Sequence, residues 1–102
     1  MSKIPKIFRS NNFAFEQLKR LDNIAIYGKF KEDFKKETYH YEVIVIQSHN
    51  GYYIKESYVP PSEFYPSSQS WGLSGFTFRS LEDAEKKFEQ LIELKNARRK
   101  IT

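Results

Sequence analysis

Between residues 80 and 92, apolar side chains recur at Leu81, Ala84, Phe88, Leu91 and Ile92. Spacings of three and four place them on one stripe of a 3.6-residue helix. Ser80 stands where a side-chain oxygen can accept a hydrogen bond from the first turn, with Asp83 three residues on. Glu82, Asp83 and Glu85 crowd one end, and Lys95, Arg98, Arg99 and Lys100 the other, as the helix dipole favours. Glu82 and Lys86 are a favourable i,i+4 pair, whereas Glu89 and Glu93 repel. The pattern predicts a helix over 81–97 followed by a basic tail, 98–102.

Elsewhere the period shortens to two. In residues 75–78, GFTF, Phe76 and Phe78 share a face that the helix can cover. The run TYHYEVIVIQ, 38–47, alternates Tyr39, Tyr41, Val43 and Val45 with His40, Glu42, Ile44 and Ile46. Its second half is apolar on both sides, which suits an internal strand. Asn50-Gly51 signals a turn, with 52–59 returning as one strand that Pro60-Pro61 ends. Residues 24–30, IAIYGKF, read as a strand with Ile24, Ile26 and Phe30 on one side. The preceding 13–21 is divided: Phe13 and Phe15 alternate as in a strand, while Ala14, Leu18 and Leu21 fit a short helix. The Asp22-Asn23 turn tips the reading toward a hairpin. Residues 31–37 form a charged connection. Residues 60–70, PPSEFYPSSQS, form a long proline-stiffened loop that leaves Phe64 and Tyr65 exposed. Residues 1–12, with Pro5 and the basic Lys3, Lys6 and Arg9 around Ile7-Phe8, read as an arm that docks on its own domain.

The expected fold is α+β: an antiparallel sheet of four or five strands with one C-terminal helix on one face. The other face is solvated or used by a partner, so Glu42 and Glu56 are expected on a solvated surface. A chain of 102 residues is one domain, 13–97, between arm and tail. Nine Phe, seven Tyr and one Trp make it too aromatic for disorder. Zero Cys excludes disulfides and thiol chemistry and suits a reducing, cytoplasmic setting. No apolar run has membrane-spanning length, and the first residues lack a signal-like apolar segment.

The formal charge of +4 is uneven: residues 1–36 hold nine Lys/Arg against four Asp/Glu, and 37–79 hold two against four. The basic excess is a solubility device or a surface for nucleic acid or an acidic protein. Catalytic signals are absent. His40 and His49 lack a metal-binding spacing, GLSGF around Ser74 is no nucleophile elbow, and no phosphate-cradling glycine loop occurs. Neither a cofactor nor a metal is expected. Tyr39, Tyr41, Tyr53, Phe64, Tyr65 and Trp71 can form a stacking platform for unpaired bases, with Lys29, Lys31 and Lys55 on the backbone. They serve equally as a protein-binding patch, and Trp71, Phe76 and Phe78 also suit the core.

The stretch WGLSG, then TF, then a helix with an acidic start, Ala84 and spaced Phe88, resembles the end of a WGR domain over residues 39–92. Leu73 stands where that family has its Arg. The resemblance implies a nucleic-acid-associated module, carried by Trp71 and Gly72. The expectation is therefore a small non-catalytic binding module for nucleic acid, with protein interaction or self-association through residues 60–71 as the alternative. Its candidate contacts are Lys29, Lys31, Lys55, Phe64, Tyr65, Trp71, Lys95, Arg98, Arg99 and Lys100.

Overall fold

The structure, a computed structural model, describes the backbone of residues 2–31 and 40–101, and the side chains of these through Arg98. The charged connection at 32–37 and Tyr39 lie outside the described residues. So do the side chains of Arg99 and Lys100.

Two tight hairpins begin the chain. Strand β1 (Ile7–Ser10) turns through Asn11 and Asn12 into β2 (Phe13–Leu21). Both Asn residues have positive φ, 52° and 68°. Asparagine tolerates that region, and a turn of this hand matches the strand twist. Asp22, at φ 56°, begins the two-residue turn from β2 into β3 (Ile24–Lys31). Residues 13–21 are thus a strand, and part of the expected arm is an edge strand. Within that arm Ile4 is buried and Phe8 packs on the core, while Ile7 faces solvent. β4 (His40–Val45) pairs with β3, and β9 (Gly75–Phe78) pairs with β4. All pairings are antiparallel, in the order β1-β2-β3-β4-β9.

Leu18 is an extra residue in β2. Gln17 pairs with Tyr27 but Lys19 pairs with Ile26, so Leu18 has no opposite number. The bulge resets the alternation: Phe13, Phe15 and Gln17 share a face with Arg20 rather than with Lys19.

Helix α1 (Leu81–Ile101) crosses one face. Ala84 and Phe88 are buried against Ile24, Ile26 and Val43, with Tyr41, Phe78, Leu91 and Ile92 around them. Sealing Phe88 there contributes about 2–3 kcal/mol. The Asp83 N–H donates to Ser80 Oγ (3.2 Å), so the expected cap forms. Leu81 contributes less than its spacing suggests, being 38 % exposed. The helix also continues past 97. No Gly or Pro interrupts 81–101, and cations suit a helix C-terminus, so the expected tail is helical through Ile101.

The opposite face is neither solvated nor open to a partner. Ala25, Tyr27, Ile44, Ile46 and Phe15 are covered by Ile4 from the N-terminal segment and by Tyr65 and Trp71 from the 60–71 segment. Glu42 is accordingly buried, not solvated. The expected strand 52–59 is instead a ribbon of its own. β6 (Tyr52–Ile54) turns at Lys55-Glu56 into β7 (Ser57–Val59), with Lys55 at φ 56°. Beneath it β5 (Gln47–His49) pairs with β8 (Ser62–Phe64). The Asn50-Gly51 turn therefore leads into the ribbon and does not close a hairpin on β5.

Candidate functional site

The β2–β3 turn marks one end of the sheet, and positive charge gathers around it. Lys3 and Lys6 from the N-terminal segment and Lys19 and Arg20 from β2 line an open depression of about 670 Å³ that ends at Asp22. Beyond the turn, Lys95 Nζ donates to Asn23 Oδ1 (2.6 Å) and lies 3.6 Å from Asp22 Oδ2. Lys95 and Arg98 rim a second groove of about 580 Å³, whose floor includes Ile24, Val45, Leu91 and Leu94. Four cations thus line one depression, with Asp22, and two rim the other, with Asn23; Lys19 Nζ also sits 5.0 Å over the Phe88 ring on the helix face.

Arg20 also has a structural duty. Its guanidinium meets Glu63 in two parallel bonds, Nη1 to Oε1 (2.9 Å) and Nη2 to Oε2 (2.7 Å), and its Nε donates to the Asp22 carbonyl (2.7 Å). Glu63 Oε1 further accepts the Ile4 N–H (3.0 Å). The clamp joins the N-terminal segment, β2 and β8. The Arg20 hydrogen bonds, aided by the Ile4 N–H, hold the Glu63 carboxyl down at about 2, and the same contacts raise Arg20.

Tyr65 lies at the centre of the covered face. Its ring packs edge-on against Phe8 (5.5 Å), Phe15 (5.7 Å) and Tyr27 (5.3 Å), and near-parallel to Trp71 (6.3 Å). Its hydroxyl donates to Glu42 Oε1 (2.5 Å). Burial first, then the Glu42 charge, push the Tyr65 hydroxyl well above its ordinary range. Burial likewise raises Tyr27, whose hydroxyl donates to the Pro5 carbonyl (2.7 Å). Trp71 Nε1 donates to Thr77 Oγ1 (2.9 Å), and its ring lies flat over Gly75.

The candidate contacts therefore divide. Lys95 and Arg98 stand at the basic end. Lys29 does not join them: it is 3.6 Å from Glu42 and sits over the rings of Phe13 (4.4 Å) and Phe15 (5.6 Å). Lys31 ends β3, roughly 23 Å along the strand from Ile24, too far to share a contact with Lys95. Lys55 tips the ribbon and Phe64, 45 % exposed, stands at its root. Tyr65 is turned inward instead of being exposed, and Trp71 packs beside it. Tyr41 of the expected platform packs beneath the helix.

Sequence reasoning missed Lys19 and Arg20, whose signal was their place just before the Asp22-Asn23 turn. It also missed Tyr52 and Tyr58 as surface residues. His49 is bonded into the ribbon's root: its Nε2 lies 2.8 Å from Ser62 Oγ, and its Nδ1 accepts the Gly51 N–H (3.2 Å). Among the described residues no group of three or more His, Asp or Glu is placed to hold a metal, and no helix is long and apolar enough to cross a membrane. No protein-family model matches the chain, and comparisons with curated proteins and with solved structures found no match.

Proposed function

We propose that this domain is a small non-catalytic module, at work in the cytoplasm, that binds nucleic acid through the phosphate backbone at its basic end. The observation that carries the reading is convergence. Lys3, Lys6, Lys19 and Arg20 line a depression that includes Asp22, and Lys95 and Arg98 rim one that includes Asn23, so three separate segments bring cations to the two depressions that flank this turn. Asp22 and Glu63, the carboxylates bonded into this end, are each held by a cation already, which leaves positive charge in excess. A low-specificity phosphate contact needs such an excess and little else. The WGR resemblance leans the same way, with Trp71 holding together the turn that opens β9. The alternative, protein interaction through residues 60–71, is weakened because that segment spends Tyr65, Pro66 and much of Trp71 on the sheet.

The test is a salt series. If about four phosphates are engaged, affinity for an oligonucleotide falls roughly a hundredfold between 50 and 200 mM salt. Lys95→Ala with Arg98→Ala flattens the log–log slope by about one to two. Binding that ignores salt, or a double variant with the parent slope, refutes the reading.

A further inference from the structure

The β6–β7 ribbon is exposed along its whole length, 52–58. Tyr53 is 71 % exposed, Ile54 55 %, Tyr58 52 % and Tyr52 46 %. A two-stranded ribbon has little stability of its own, and a run of solvent-facing aromatic residues marks a binding surface more than a fold requirement. Its rings are laid out in register. Tyr53 and Tyr58 are directly opposite one another on one face, with centroids 5.0 Å apart. On the other side Tyr52 meets the His49 ring at 5.0 Å, and His49 in turn lies 6.1 Å from Phe64.

The ribbon is rooted in the basic end. Ser2 N–H donates to the Pro61 carbonyl (3.1 Å), Glu63 N–H donates to the Ser2 carbonyl (2.8 Å), and Ile4 N–H donates to Glu63. Lys3 is therefore fixed beside the segment that leaves β7, and Arg20 is bonded to the same Glu63. Lys55 adds a cation at the tip. Lys3 thus belongs both to the basic depression and to the segment bonded at the foot of the ribbon. Duplex bases are stacked on one another and cannot use such a surface, whereas unpaired bases can.

We infer that the ribbon is a base-stacking platform and that the ligand is a single strand with unpaired bases, held by its phosphates at the basic end and by its bases on the Tyr53–Tyr58 face. This rests on the nucleic-acid reading above and adds the strand state and the stacking surface. The test compares three probes by fluorescence anisotropy: a single-stranded 15-mer, an abasic sugar-phosphate 15-mer of the same charge, and the 15-mer duplex, which carries twice the phosphates. The parent binds the single strand at least about tenfold tighter than the other two, the scale of stacking one or two bases. Tyr53→Ala with Tyr58→Ala removes that advantage and leaves abasic binding and the salt slope as in the parent. Tyr53→Phe with Tyr58→Phe keeps it, because the ring and not the hydroxyl stacks. Equal affinity of the parent for the single-stranded and abasic probes overturns the inference while the phosphate reading stands, and needs no variant to fold. Parent-like single-strand binding by the double Ala variant also overturns it and leaves the ribbon to a protein partner. No binding to any probe removes both readings.

Discussion

Replacing Glu63 by Gln removes one charge from the clamp that fastens the N-terminal segment to the sheet. The carboxyl lies at about 2, against an ordinary 4.5. In a fully desolvated pair that difference would be worth about 3 kcal/mol. Here Arg20 and Glu63 retain 23 % and 13 % side-chain exposure, and water screens part of the attraction. The expected loss at pH 7 is therefore about 1–2 kcal/mol, above the ordinary surface pair because the contact is bidentate. Because folding depresses the carboxyl, its contribution is fully present above the unfolded value near 4.5 and disappears as pH falls through about 2. Urea unfolding of parent and Glu63→Gln, from pH 7 to pH 2, reads this directly. The two stability curves are separated at pH 7 and converge toward pH 2. Amide exchange at residues 2–6 speeds up in the variant, because Ile4 loses a charged hydrogen-bond acceptor. Curves that coincide at pH 7, or run parallel down to pH 2, would refute the reasoning.

Tyr65→Phe takes a hydroxyl from the buried Glu42 and leaves Lys29, 3.6 Å away, as a more distant partner. The expected cost in urea unfolding is about 1.5–3 kcal/mol, and a loss below about 0.5 kcal/mol would show that the contact contributes little. Gly75→Ala sets a Cβ 2.3 Å from the Trp71 ring. The ring must be displaced, with a loss of about 1–3 kcal/mol and a red shift in the emission of this single Trp. An unchanged spectrum would mean the ring does not lie over Gly75.

The helix was legible because its stripe, cap and end charges agree with one another, and the structure adds only its extension past 97. Strands β3 and β4 were legible because apolar runs on both sides announce an internal position. Residues 13–21 were equivocal for a physical reason: the extra Leu18 makes Leu18 and Leu21 repeat at three, the spacing of a helix, inside a strand. Asn11-Asn12 and Lys55-Glu56 were missed as turns. Lys55 is a poor sign of positive φ, and Asn11-Asn12 lacks the usual Gly. Glu42 was expected on a solvated sheet face and Tyr65 on an exposed proline-stiffened loop. Each is buried because it has the other as hydrogen-bond partner, and a pairing across 23 positions leaves no local mark. The basic end was only partly visible for the same reason. The tail and the first lysines stood out as basic, but their meeting with Lys19 and Arg20 is a product of the two hairpins.

The most direct measurement is the affinity of the parent chain for a single-stranded oligonucleotide across a salt series, beside Lys3→Ala/Lys6→Ala/Lys95→Ala/Arg98→Ala and beside Lys31→Ala at the far end of β3. The account predicts steep salt weakening in the parent and in Lys31→Ala, and a flattened slope with at least about tenfold weaker binding in the four-site variant. Equal losses from Lys31→Ala and from the four-site variant would contradict it, as would a parent that fails to bind at low salt.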